Sequence, residues 1–165
     1  MPLLPSPCGL LARRFVPVLR GCASSLEADS VADFGPVFLP SVAGLSLIRE
    51  SDGTHRAEGG FPLAVSCFAL SRLAPEELPA HLDTLYRSSS FVLLADFKVA
   101  ERNIEAPACL LAGSLRRFGA AHPSAFEACG GLEGLLYAER ERFAVKERFP
   151  LLGGALLAVL AEVLR

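Results

Sequence analysis

Tryptophan is missing from this chain, methionine occurs once and tyrosine twice, so eleven phenylalanines carry nearly all of its aromatic packing. An excess of one charge is missing too: 16 basic residues stand against 18 acidic ones. Without a basic stripe interleaved with aromatics, the chain has no electrostatic footprint of a nucleic-acid binder. It also lacks an uncharged apolar run of about 18 residues, the least a spanning helix needs. Residues 149–164 come nearest, but Gly153, Gly154 and Glu162 interrupt them, so they read as core and no membrane partner is expected. The five cysteines, at positions 8, 22, 67, 109 and 129, are odd in number and form no CxxC pair. Neither a disulfide framework nor a zinc site is indicated, and each reads as a small buried hydrophobe. His55, His81 and His122 have no metal-like spacing; His81 is expected on the exposed side of a helix and the others in loops. GxSxG, P-loop and HExxH patterns are absent, which leaves hydrolase and nucleoside-triphosphatase readings without a starting point.

What is present is apolar. The chain has 165 residues, 52% of them hydrophobic, with a mean hydropathy of +0.41, which suits one domain with a substantial core. Arg13 and Arg14 precede a run that Pro17 and Arg20 break before it reaches the length of a secretory signal. A cytoplasmic protein is expected.

Residues 1–8 hold three prolines and read as an irregular leader. Apolar residues then recur at helical spacing over about 9–26, with Pro17 expected to kink that helix or end it early. Segments 30–35 and 41–48 are short enough for buried strands, and 49–60 form a polar, glycine-rich loop. Residues 62–68 are a short apolar run bounded by turn residues, hence a strand. Pro75, Glu76 and Glu77 suit the start of a helix whose face is Leu78, Leu82, Leu85 and Tyr86. Residues 91–97 are apolar on both faces, as a central parallel strand covered by helices is. Strand, helix and strand over this span make a βαβ unit and predict a parallel sheet. Helices are expected over 104–118 and, interrupted by glycines, over 124–139. Residues 142–149 look like a strand and 150–154 like a turn. The Ala/Leu-rich segment 155–164 favours helix by propensity, or else forms the second arm of an antiparallel hairpin.

The stretch 61–75 resembles the fourth strand and following loop of the class I S-adenosylmethionine-dependent methyltransferases, a short F-D-x-V strand with a small, Leu-rich continuation. Residues 91–96 resemble that family's fifth strand, and 143–163 its closing antiparallel strands, which implies strand at 155–164. Val31-Ala32-Asp33-Phe34-Gly35 resembles the opening of the V-x-D-x-G-x-G cofactor turn, although Pro36-Val37 follows where the second glycine belongs. Residues 41–46 resemble the second strand, with Ser46 in the place of the ribose-binding acid unless Glu50 or Asp52 replaces it. Arg56-Ala57-Glu58-Gly59 resembles the loop that contacts adenine. The connection between the first two strands is too short for a crossover helix.

The resemblance implies an α/β fold: a Rossmann-like, mostly parallel sheet with a closing antiparallel strand pair, helices on both faces and a shortened N-terminal half. Residues 1–29 are read as leader and helix, and 30–165 as the methyltransferase-like domain. It further implies S-adenosylmethionine as cofactor, near Asp33, Gly35, Ser46, Glu58, Ser66 and Cys67. Because open α/β sheets bind ligands at the carboxyl ends of parallel strands, Phe68, Asp96 and Lys98 are expected near a small-molecule substrate. Methyl transfer needs orientation more than a fixed nucleophile, so no catalytic residue is assigned. The rival reading is a methyltransferase-like domain that has lost cofactor binding and serves as a binding or homodimeric assembly partner.

Overall fold

The computed structural model describes residues 7–36, 39, 41–49, 60–98, 126 and 128–165. The expected helix at 104–118 and the loop holding Glu58 lie outside the described residues, as do His55 and His122. Helix α1 (Pro7–Ser25) runs through Pro17, which sits on its exposed side. Phe15, Leu19 and Cys22 are buried on either side of that proline. Burial of a large apolar side chain is worth about 1.5–3 kcal/mol, enough for the flanking anchors to offset a proline's cost of about 3 kcal/mol.

Six strands form one sheet: β1 (Ser30–Asp33), β2 (Ser46–Arg49), β3 (Phe61–Cys67), β4 (Ser89–Phe97), β5 (Phe143–Leu151) and β6 (Leu156–Val163). Their order is β2-β1-β3-β4-β6-β5. The first four are mutually parallel, with Val31 opposite both Leu47 and Leu63, and Cys67 opposite Ala95. β6 runs antiparallel between β4 and β5, placing Leu94 against Val159 and Ala158 against Phe149. The C-terminal segment is thus a strand despite its helical propensity: inserted between two strands, Leu156–Val163 is buried on both faces apart from Glu162, and sheet packing overrides a preference of a few tenths of a kcal/mol per residue.

Alternation along the strands divides the core. Val31, Leu63, Val65, Cys67, Leu93 and Ala95 face α1, whereas Ala32, Ala64, Val92 and Leu94 face α2 (Leu78–Ser88) and α3 (Gly131–Ala138). Helix α2 begins after the expected Pro75, because residues 75–77 form a turn in which the Glu77 carboxylate accepts the N–H of Ala74 at 2.9 Å. The second expected strand, 41–48, is shifted. Residues 43–44 make a turn and β2 starts only at Ser46. The described residues between β1 and β2 contain no helix, consistent with a connection too short for one.

Candidate functional site

Parallel register puts the carboxyl ends of β1 to β4 on one edge of the sheet. From β1 the chain steps to β2 on one side, then returns past β1 to continue through β3 and β4 on the other. The strand order therefore reverses between β1 and β3, and the crevice outside their carboxyl ends is the topological switch point.

Asp33 and Gly35 lie there. The Asp33 carboxylate accepts the Gly35 N–H at 2.9 Å, closing a tight turn directly after β1. This turn presses on the last residue of β3: a Cβ on Gly35 would stand 2.9 Å from the Cys67 carbonyl oxygen and 3.0 Å from its nitrogen. Only glycine lets the two main chains approach so closely. Arg49, at the end of β2, donates to the Gly35 carbonyl at 3.2 Å. Burial pushes the Asp33 carboxyl above the usual range, while the Gly35 N–H and the Arg49 charge pull it back in part.

Phe68 follows Cys67 with φ of +56°, a left-handed conformation uncommon for a bulky residue. Its N–H donates to the Ala95 carbonyl at 2.8 Å, and its ring lies 5.2 Å from that of Phe97, tilted by 42°. Both rings are buried in the core beneath α1, so Phe68 does not project into the crevice. Lys98 continues from β4, half-buried, with its N–H on the Ala155 carbonyl.

Other expected site residues lie elsewhere. Ser46 opens β2 opposite Ser30, at the amino-terminal edge of the sheet and away from the crevice; the strand begins where the resemblance has it end. Ser66 points to the α2 face, where its hydroxyl meets His81 Nε2 at 2.9 Å. Its hydrogen-bonding capacity is thus engaged beneath a helix. Cys67 contributes its main chain to the crevice, while its side chain lies in the core under α1. Asp96, expected to face substrate, is fully buried on the α2 face. Its carboxylate accepts the N–H of Ser71 at 2.9 Å, from the 3-10 turn Leu70–Arg72, and that of Phe97 at 2.8 Å. Burial raises its pKa, against the opposing influence of Ser71, Phe97 and Arg72.

Arg49 and His81 stand out only in the structure. His81, expected on the exposed side of its helix, instead turns inward onto Ser66; it lies three residues from Leu78 and four from Leu85, on their stripe, a sign in the sequence of that orientation. Burial lowers its pKa to about 4. Among the described residues no cluster of His, Cys, Asp or Glu is suited to a metal ion, and no helix is long and apolar enough to cross a membrane.

No family model and no curated protein matches the sequence. Solved structures do match in fold. TnmH superposes with a TM-score of 0.59 at 15% identity over 95% of this chain, which spans 57% of that protein's length. The methyltransferase domain of bacterial CtHen1 gives 0.56 at 12% identity, covering 93% of this chain and 100% of that one. The magnesium protoporphyrin IX methyltransferase of Synechocystis PCC 6803, with bound SAH, gives 0.58 at 7% identity, covering 95% and 86%. The strand order, the antiparallel strand inserted beside β4 and these superpositions together give the chain the fold of the class I S-adenosylmethionine-dependent methyltransferases.

Proposed function

We propose that the chain is an S-adenosylmethionine-dependent methyltransferase acting on a small molecule. The observation that carries this reading is the Asp33–Gly35 turn, packed on the Cys67 main chain at the switch point between β1 and β3. Ligands of open α/β sheets occupy that crevice. The residues fit the cofactor: a buried carboxylate ends β1, a turn closed on Gly35 follows it, and Arg49 braces the turn from β2.

In this reading Asp33 and Gly35 shape the cofactor side of the crevice, and Glu58, outside the described residues, is assigned to the cofactor by the family resemblance alone. Cys67 supplies main chain there. Lys98 lies at the substrate end. When bound, the cofactor supplies a sulfonium-activated methyl group for in-line transfer. The protein's share is orientation and a crevice suited to the moving charge.

Thermal unfolding with S-adenosylmethionine and S-adenosylhomocysteine tests the reading. A ligand at 100 times its dissociation constant stabilises by about 2.7 kcal/mol. A clear upward shift with either is expected, reduced in Asp33→Ala. No shift with either at millimolar concentration sinks the enzyme reading and leaves the assembly role standing.

A further inference from the structure

We propose that Asp96 is a positioning residue for the crevice, holding the segment after β3 against the end of β4 without itself touching ligand. This deepens the methyltransferase reading and rests on it for its consequence for binding. Asp96 has no exposed surface, so a direct substrate contact is closed to it. Its two carboxylate oxygens each accept a main-chain N–H, one from Ser71, 25 residues earlier in the chain, and one from Phe97. One segment follows the carboxyl end of β3 and the other closes β4, on the sheet edge that carries the crevice.

The connection continues from there. One residue, Ala69, joins the Leu70–Arg72 turn to Phe68, whose N–H is held by Ala95, the residue before Asp96. Phe68 and Phe97 pack ring on ring, which couples the two segments a second time. Phe68 keeps a left-handed backbone that a bulky residue adopts only where its surroundings impose it. Cys67, one residue back, is the surface on which the Gly35 turn rests. A change at Asp96 therefore reaches the cofactor turn along the chain from Ser71 back to the strained Phe68 and Cys67, and from Cys67 by main-chain contact to Gly35.

Asparagine is the near-isosteric variant. Its single carbonyl oxygen still accepts one of the two N–H groups. Leucine fills the same space, accepts neither, and suits the apolar neighbours, so the chain has a route to fold without the carboxylate.

The test compares Asp96→Asn and Asp96→Leu with the full-length wild type by amide hydrogen exchange and by titration with S-adenosylhomocysteine. In Asp96→Leu the Ser71 and Phe97 amides should lose about tenfold or more in protection, the scale of one lost hydrogen bond, while Val159 and Leu160 in β6 keep theirs. The same variant should bind S-adenosylhomocysteine about tenfold more weakly, and Asp96→Asn should restore most of that loss. Unchanged protection at Ser71 and Phe97, or an equal loss across β6, overturns the proposal. So does an Asn variant that binds no better than the Leu variant. If wild type binds no S-adenosylhomocysteine, the cofactor reading falls, and the exchange pattern at Ser71 and Phe97 still decides whether Asp96 holds the two segments together.

Discussion

Gly35 has less freedom to change than any side-chain argument conveys, because its neighbours are main chain. The Cys67 carbonyl and nitrogen cannot swing away as a side chain can, so Gly35→Ala must shift the turn or the end of β3. A loss of about 1–3 kcal/mol in urea unfolding is expected, together with weaker S-adenosylhomocysteine binding. Gly21 is the natural control: it is exposed on α1, and a Cβ there meets nothing within 4 Å. Gly21→Ala should stabilise by about 0.5–1 kcal/mol. If Gly35→Ala matches Gly21→Ala, the close approach at the crevice is not what requires glycine. His81 supplies a second test at this scale. Its folded pKa of about 4 lies below the ordinary 6.5, so the unfolded chain binds more protons between those values. Stability should therefore fall as pH drops through that window, by roughly 2 kcal/mol for a ring whose edge still reaches solvent. Asp33 and Asp96, with raised pKa values, act in the opposite sense, contributing stability at low pH that is lost as pH rises. The His81 contribution is isolated by making His81→Leu in a Ser66→Ala background, which avoids leaving a buried hydroxyl unpaired. A pH dependence identical with and without His81 would refute it.

Elements show which parts of the fold were legible beforehand. β3 and β4 announce themselves because 62–68 and 91–97 are apolar on both faces but for Ser66 and Asp96, and α2 because Leu78, Leu82, Leu85 and Tyr86 share one face. The last strand is different: local propensity in Leu156–Val163 points to helix, and only the resemblance to methyltransferases gives strand. Its partners, residues 143–151 and 91–97, are what decide it. The Asp96–Ser71 and Ser66–His81 contacts span 25 and 15 residues, and a single sequence carries no sign of which distant residue will arrive. Ser46 is misplaced for a related reason: the resemblance ends the second strand at 46, whereas the strand's start depends on the turn at 43–44. The β5–β6 connection offers a test of its own. Leu152, Gly153 and Gly154 all take positive φ, of 50°, 64° and 90°. Leucine alone is strained there, and it is exposed, so Leu152→Gly should relieve about 1–2 kcal/mol of backbone cost, offset in part by glycine's greater unfolded-state entropy. A net gain in urea midpoint is expected; a net loss would mean that the leucine side chain contributes more than its backbone costs.

At the scale of the whole molecule, the sheet is unevenly supported. β4 lies between β3 and β6 and is buried along most of its length, whereas β2 is an edge strand of four residues with alternate positions exposed. Cooperative opening should therefore begin at β2, where few apolar contacts are lost, and end at β3, β4 and β6. Native-state hydrogen exchange should rank their amides in that order. Ligand binding adds a sharper expectation, because the crevice joins the weak side of the sheet to the strong one. A molecule seated between β1 and β3 and braced through Asp33, Gly35 and Arg49 must be released before β1 or β2 can leave the sheet. Saturating S-adenosylhomocysteine should then raise protection most in β1 and β2, by up to about 100-fold at 100 times the dissociation constant. Openings of β5 that leave the crevice intact should hardly respond. Equal protection across all six strands would mean that the sheet opens only as one unit. Added protection confined to β5 and β6 would place the ligand away from the switch point, and with it the assignment of Asp33 and Gly35 to the site would fail.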